Sequence, residues 1–401
     1  MRIAIFSDNF YPEISGISDS IISLAKELSK RGHSINFYAP KYSNKNYEIV
    51  GLEPKEVAIG ENVAVTRFFS FPYPTPTKQG RLVIPTGLRY LAVKKFDPDI
   101  IHTQLFFGVG IEALIASRRL RKPIIGTNHT VMREFLRYSP IQNRRFLEFI
   151  LKYVKWFYGK CDLTTAPSRF LIKDMEEAGF KGNSTVVSNP IDTKFFKPLG
   201  KTKDCRLEEK RLKEKFGLNY PTIVYAGRFA AEKKLDVLLN AFAIVHKKIA
   251  AATLALAGNG ASFRSLKALA KELGVENRVK FVGTLSKPKL AELYHASELL
   301  ATASTSEVQS ITVLEAMASG LPAVGVRARG LAEHINARNG LLAEPGDAAG
   351  LARNIISLIE KPWLRKKLGA GAVKSAENYS SPKVASRWER IYEKAIKSYN
   401  G

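Results

Sequence analysis

RIAIFSDNFYPEISGISDSIISLAKELSKRGHSINFYA, residues 2–39, decides the fold. Residues 2–7 form a short apolar run, as a buried strand requires. Residues 18–31 then place Ile21, Leu24, Ala25 and Leu28 at helical spacing. Gly32 ends the helix, and residues 34–39 (SINFYA) open a second strand. Strand, helix, strand at this interval predicts a parallel sheet with helices on its faces. The pattern continues with a strand at 99–102 (DIIH), a helix at 111–119 and a strand at 123–126. It resumes with strands at 222–226, 252–257, 279–282, 298–303 and 323–326, and helices at 235–246, 262–273 and 311–318. The 401 residues suffice for two domains of roughly 150–200 residues each. The fold class expected is therefore α/β, with two doubly wound Rossmann-like domains in series.

The seam is expected between 190 and 220, where residues 197–215 (KPLGKTKDCRLEEKRLKEK) are dense in charge and bury little. We place the first domain at 1–195 and the second at 196–382. A C-terminal helix at 383–401 carries Trp388, Ile391, Tyr392 and Ala395 on one face and is expected to pack back on the first domain.

Composition excludes several classes. The 28 glycines and 19 prolines show no collagen period or low-complexity bias. Two cysteines, Cys161 and Cys205, build neither a disulfide framework nor a four-ligand zinc site, and their scarcity fits a reducing cytoplasm. No apolar run approaches the ~20 residues of a membrane span, and the first residues read as a strand rather than a signal peptide. The charge is the unusual feature. Sixty-two Lys+Arg against 37 Asp+Glu give +25, a field that favours nucleic acid, an anionic membrane or phosphorylated substrates.

Open parallel sheets bind ligands beyond the carboxyl ends of their strands, and three segments lie there. In DNFYPEISG (8–16), Gly16 either lets the backbone approach a phosphate or is an ordinary loop glycine. In AGRFAAEKKLD (226–236), Arg228 and Lys233 suit a diphosphate as a fork and a point charge. In so basic a chain they also read as solvated surface charge. In EVQSITVLE (307–315), Glu307 can accept from sugar hydroxyls and Glu315 from a ribose. The amides of Ser310, Ile311 and Thr312 open a helix, ready for an anion. His129 and His102 each follow or end a buried strand, where a lone His is most often structural. Asp97-Pro98-Asp99 spells a D-x-D, but its place before a strand makes it a helix-to-strand connection.

Taken in order, these segments resemble the retaining glycosyltransferases of family 4, which have the GT-B fold with an interdomain cleft. The likeness includes FDPDIIHTQ (96–104), GTNHT (126–130), TAPSRFL (165–171), VVSNPIDTKFFKP (186–198), LALAGNG (254–260) and FVGTL (281–285). The wording HTQLFFGVG and SEVQSITVLEAMASGLP looks closest to the diacylglycerol glucosyltransferase branch. The resemblance implies that Arg228 and Lys233 grip the donor diphosphate and that Gly16 closes over it from the other domain. It implies that Glu307 contacts the transferred sugar, Glu315 the ribose, and the loop around Gly283–Leu285 the base. Gly258, Leu285, Ser310, Ile311 and Thr312 join the donor-binding set, and His129 becomes an acceptor-side residue of the catalytic set. Two positions depart from the family pattern: Ser310 and Lys234 stand where glycine is usual. The implied mechanism is front-face transfer with retention, the leaving diphosphate taking the acceptor proton, with no metal or other cofactor.

The acceptor is sought in the basic region 111–160, which holds eleven Lys/Arg and three Glu. Its segment RRFLEFILKYVKWFYGK (144–160) has Phe146, Phe149, Ile150, Tyr153 and Phe157 on one face, and Arg145, Glu148, Lys152 and Lys155 on the other. Such a helix either faces a core or lies in an anionic interface. With the family context, Arg144, Arg145, Lys152, Lys155 and Trp156 are the expected docking residues. The expected function is transfer of a hexose from a nucleotide-sugar, UDP-glucose or a related UDP-hexose, to a membrane lipid such as diacylglycerol, on the cytoplasmic face. A GDP-mannose donor or a soluble acceptor is the alternative. A nucleic-acid-binding protein is a remote one, since no recognition motif accompanies the charge. A nicotinamide dehydrogenase is disfavoured because no G-x-G-x-x-G follows the first strand.

Overall fold

In the computed structural model, residues 1–13, 15–75, 79–131, 143–200 and 202–400 are described. The chain forms two compact units, Met1–Pro190 with Ser381–Gly401, and Ile191–Ser380. The division comes ahead of the expected 195/196 boundary for a physical reason. Ile191 and Phe196 are buried in the core of the second unit, and Ile191 pairs with Ser380.

In the first unit the strands are β1 (Arg2–Phe6), β2 (Ser34–Pro40), β3 (Val63–Phe68), the short antiparallel pair β4 (Phe71–Pro72) and β5 (Arg81–Leu82), β6 (Ile100–Thr103), β7 (Ile124–Thr127), β8 (Leu163–Ala166) and β9 (Ser184–Val186). All but β4 and β5 make one parallel sheet in the order β3-β2-β1-β6-β7-β8-β9. Ile3, Ala4, Ile5 and Phe6 are fully buried, as a central strand covered on both faces requires. Helix α1 (Gly16–Lys30) presents Ile21, Leu24, Ala25 and Leu28 to the core, with Ser15 as its cap. Helices α2 (Gly108–Leu120) and α3 (Arg144–Tyr158) follow β6 and β7. Asp97 and Asp99 form the connection into β6, Asp99 accepting from the Arg2 amide at 2.7 Å.

The second unit holds β10 (Thr222–Ala226), α4 (Leu235–Lys248), β11 (Thr253–Ala257), β12 (Val279–Gly283), β13 (Leu299–Ala301), α5 (Ile311–Ala318), β14 (Ala323–Val326) and β15 (Gly340–Ala343). Its parallel sheet runs β12-β11-β10-β13-β14-β15. Strand order reverses between β1 and β6 in one sheet and between β10 and β13 in the other, so each unit has one topological switch point.

The last helix, α6 (Ser381–Asn400), belongs to the first unit. Val384, Ala385, Trp388 and Tyr392 are buried there with Ile3, Ile5 and Leu24. Burial of large side chains stabilises by roughly 1.5–3 kcal/mol each. Glu389 fixes the register, accepting from Arg31 at 2.6 Å and lying 2.8 Å from His33 Nε2.

Candidate active site

The second unit's switch point lies between the carboxyl ends of β10 and β13, which are neighbours in the sheet. The chain leaves β10 as Gly227-Arg228-Phe229, and three backbone bonds lace this loop to those after β11 and β12. The Gly227 amide donates to Ala257 O at 2.9 Å, Phe229 to Asn259 O at 2.8 Å, and Gly258 to Gly283 O at 2.8 Å. Gly258 has φ +139°, and a Cβ there would strike the carbonyl of Gly227, so a side chain would prise the loops apart. Phe229 is fully buried against Phe263 and Phe281. Tyr225 Oη donates to Arg228 O at 3.3 Å, and burial, with Glu307 nearby, holds that phenol far above its ordinary range.

A single 3-10 turn, Ala231–Lys233, then presents Lys233. Its Nζ lies 2.7 Å from Glu307 Oε1, in the loop after β13, and both side chains are more than four-fifths buried. The two residues are 74 apart in sequence and meet across the switch point. Arg228 behaves differently: its guanidinium is half-exposed and pairs with Glu232 at 2.8 Å. The Glu307 loop is clamped from behind. The Gly330 amide donates to Glu307 O at 2.9 Å, and a Cβ on Gly330 would collide with the carbonyl of Val308.

Helix α5 opens at Ser310, whose side chain caps no helix amide but lies 3.3 Å from Thr312 Oγ1. At φ −84° this position accepts any residue, so Ser310 carries no backbone strain. Lys234 is the opposite case. It adopts φ +51°, ψ +42°, the left-handed region where glycine is at ease. Glu315 is buried one turn into α5, close enough to raise the buried Tyr294 phenol further. Leu285 is half-buried on the core beside Gly283.

In the first unit, Gly16 occupies the exposed first position of α1 with an ordinary helical backbone, and Ser15 does the capping. Composition and spacing did not single out Asp8, at the end of β1. It is buried, accepts from the Val109 amide at 2.8 Å and from Gly110 at 3.4 Å, and burial pushes its carboxyl up to about 6. It thereby fills the N-terminus of α2. His129, after β7, has Nε2 2.8 Å from Gln104 Oε1. The Gln104 Nε2 lies 3.0 Å from His102 Nε2, and His102 Nδ1 lies 2.8 Å from Tyr392 Oη. With the Gln104 amide in this orientation, His129 carries its proton on Nε2 and leaves Nδ1 as an acceptor. Burial lowers His129 to about 4 and His102 to about 3, so both are neutral near pH 7. His102 is fully buried under Trp388 and Tyr392 and is structural.

Helix α3 corrects one expectation. Its inner face runs through Val154, Phe157 and Tyr158, with Ile150, Leu151 and Tyr153 packed beside them. Phe149 was expected on that face, but it is 62% exposed and points outward with Trp156, two turns along. Arg145 and Lys152 are exposed and Lys155 is half-buried, while the Arg144 side chain lies outside the described residues. Among the described residues, no helix is long and apolar enough to cross a membrane, and no three His, Cys, Asp or Glu side chains cluster as metal ligands would.

Two Rossmann-like units with these strand orders have the architecture of GT-B glycosyltransferases. Comparison with known proteins agrees. Residues 14–195 match the Glycosyltransferase Family 4 model and residues 207–375 the Glycosyl transferases group 1 model. The alpha-monoglucosyldiacylglycerol synthase of Streptococcus pneumoniae is 30% identical over 81% of this chain and 70% of its own length. The N-acetyl-alpha-D-glucosaminyl L-malate synthase of Bacillus anthracis is 28% identical over 95% of this chain and 94% of its own. Among solved structures, Anabaena HepE in complex with UDP-glucose has a TM-score of 0.74 at 20% identity, covering 98% of this chain and 100% of its own. The chain belongs to glycosyltransferase family 4, and it is a hexosyltransferase.

Proposed function

We propose that the protein transfers a hexose, with retention, from a UDP-hexose such as UDP-glucose to a membrane lipid such as diacylglycerol, as a peripheral enzyme of the cytoplasmic membrane face. The observation that carries the donor half is the Lys233–Glu307 pair at the β10/β13 switch point. A diphosphate arriving there draws the Lys233 ammonium, and Arg228 can swing from Glu232 to join it. The Ser310, Ile311 and Thr312 amides add the positive end of α5. Glu307, released from Lys233, accepts from hydroxyls of the sugar, and Glu315 from the ribose. Gly258 and Leu285 border the base. His129 is the acceptor-side residue, presenting a neutral imidazole. In this reading the leaving diphosphate takes the acceptor proton, and its charge is met by cations and amides without a metal.

The lipid half is supported by the name of the pneumococcal relative and by the outward Phe149 and Trp156 beside Arg145 and Lys152 on α3. A soluble acceptor is the second reading, favoured by the Bacillus anthracis relative, whose name places its sugar on malate. The test is a thermal-shift screen of UDP- and GDP-hexoses, followed by mass spectrometry of products formed with diacylglycerol vesicles or with malate. Stabilisation by UDP-glucose and a hexosyl-diacylglycerol product support the proposal. A malate product alone, or stabilisation by GDP-mannose alone, overturns the corresponding half.

A further inference from the structure

The short helix Arg329–His334, which follows β14, carries a histidine where its own pattern calls for an apolar residue. In RGLAEHI (329–335), positions 331, 334 and 335 share one helical face. Leu331 and Ile335 are fully buried in the core of the second unit, and His334 is 5% exposed. Its Nδ1 lies 3.0 Å from Tyr379 Oη, and the two rings meet edge-on with centroids 5.2 Å apart. Its Nε2 is buried and has no hydrogen-bond partner among the described residues. Burial lowers the imidazole to about 4, so the ring is neutral near pH 7. An unsatisfied buried nitrogen destabilises, and an apolar side chain of similar bulk would carry no such penalty. Stability alone therefore does not explain His334, and its one polar contact becomes the feature of interest.

The helix is pinned at both ends. At its first residue, Arg329 adopts φ +43°, a left-handed backbone that arginine enters only under strain. The next amide, that of Gly330, donates to Glu307 O at 2.9 Å, and the missing Cβ lets the helix lie against the carbonyl of Val308. At its last residue, His334 holds Tyr379 through its ring, and its carbonyl accepts from Asn339 Nδ2 at 2.9 Å. Asn339 Nδ2 also reaches Ser375 Oγ at 3.0 Å. Tyr379 is tied in turn to the border of the unit. Its carbonyl accepts from the Ile191 amide at 2.9 Å, and its neighbour Ser380 pairs with Ile191. Ile191 and Ser380 are the first and last residues of the second unit. Contacts thus run without a break from Ile191 through Tyr379, His334 and Gly330 to Glu307. The link between the last three is a helix of fewer than two turns, too short to bend.

We infer that the helix Arg329–His334 is a strut that sets the Glu307 loop from the place where the chain enters and leaves the second unit, with His334 and Tyr379 as positioning residues for Glu307. The effect on turnover rests on the donor-site reading above, whereas the strut itself does not. Arg228 and Lys233 come from the loop after β10, at the other side of the switch point. Loosening the strut therefore acts on the carboxylate and not on the cations, and its signature is a lower kcat at unchanged nucleotide affinity.

Three variants test this. Tyr379→Phe removes one hydroxyl and keeps the ring, His334→Leu keeps bulk without Nδ1, and His334→Asn restores a polar atom at the δ position. Turnover of UDP-glucose, calorimetric titration with UDP, melting and hydrogen exchange of residues 305–310 are measured for each. Tyr379→Phe and His334→Leu are expected to lose kcat by about tenfold or more, because small displacements of a reacting group are costly in rate. Their UDP affinity stays that of the wild type, and exchange in 305–310 rises by about tenfold. The melting temperature of His334→Leu stays level or rises, and His334→Asn recovers most of the lost kcat. Adding Tyr379→Phe to Gly330→Ala lowers kcat no further than Gly330→Ala alone, since both release one strut. Losses that multiply in that double variant, unchanged exchange, or wild-type kcat in both single variants overturn the inference. A loss of kcat matched by an equal loss of UDP affinity overturns the positioning role. Faster exchange in a protein that turns over no UDP-hexose supports the strut and sinks the donor reading.

Discussion

Lys233 Nζ and Glu307 Oε1 lie 2.7 Å apart, a base and an acid from loops after two adjacent strands, in a largely buried position. In water such a pair contributes little, and burial raises both its attraction and the penalty for leaving either partner alone. The pair holds both side chains in place, and in the proposed mechanism a diphosphate competes for the lysine. It also places a carboxylate beside the position that anion would take. Under the proposed function, preorganisation of this kind would accelerate transfer by stabilising charge on the leaving group.

The Glu307 loop depends on Gly330, which sits under it without a side chain. Gly330→Ala drives a methyl against the carbonyl of Val308, and relief requires the loop to move. Overpacking of this kind typically costs about 1–3 kcal/mol. The expected outcome is a fall in kcat of tenfold or more, about 1.4 kcal/mol in barrier, with a lower Tm. Steady-state kinetics with UDP-hexose and a melting curve check it.

Lys234 holds a left-handed backbone at φ +51°. A non-glycine residue there carries strain of about 1–2 kcal/mol, while glycine loses about 0.5–1 kcal/mol through the freedom of the unfolded chain. Lys234→Gly is therefore expected to leave Tm unchanged or raise it, with activity retained. Lys234→Val, branched at Cβ, should lower it. Differential scanning calorimetry reads both.

Glu13 is buried and accepts from Tyr42 Oη at 3.1 Å, and burial lifts its carboxyl from 4.5 to about 7. Between those values the native protein keeps a proton that the unfolded chain has released. Stability contributed by this group therefore falls as pH rises from 4.5 to 7, by up to about 3 kcal/mol. His129 and His102 act in the other direction: they stay neutral while the unfolded chain protonates, so their contribution falls as pH drops below 6.5. Glu13→Gln removes only the first effect. Urea unfolding at pH 5 and pH 8 should show the variant gaining on the wild type at the higher pH.

His129 is oriented through Gln104, which bridges it to His102. Gln104→Ala frees the ring and leaves its tautomer unset. The expected result is a lower kcat for transfer with donor KM little changed, and with Gln104→Glu shifting the pH profile. Identical pH profiles for all three proteins would reduce Gln104 to a packing residue.

The local rules served the element assignment well where apolar runs are short and bounded. The helix Ile311–Ala318 and strand Ala323–Val326 have the bounds read from periodicity. Strands such as Leu163–Ala166 (LTTA) and Ser184–Val186 (STV) escaped, since half-polar runs of three or four residues give no period. Arg228, Lys233 and Glu307 were legible as candidates because each follows a strand. Their pairing was not, because contact across 74 residues is set by sheet order. Asp8, 101 residues from Val109, was hidden for the same reason. Apolar residues also mislead when they are outside: Phe149, Phe69 and Phe71 look like core in a one-dimensional pattern.

The central claim is that Lys233 and Glu307 form the donor site with separate tasks, and calorimetric titration with UDP alongside a transfer assay tests it most directly. Lys233→Ala is expected to weaken UDP by about tenfold or more, as loss of a charge-assisted contact does. Glu307→Ala is expected to bind UDP nearly as well as the wild type while transferring almost no sugar. Wild-type turnover by Glu307→Ala, or undiminished UDP affinity in Lys233→Ala, would contradict the assignment.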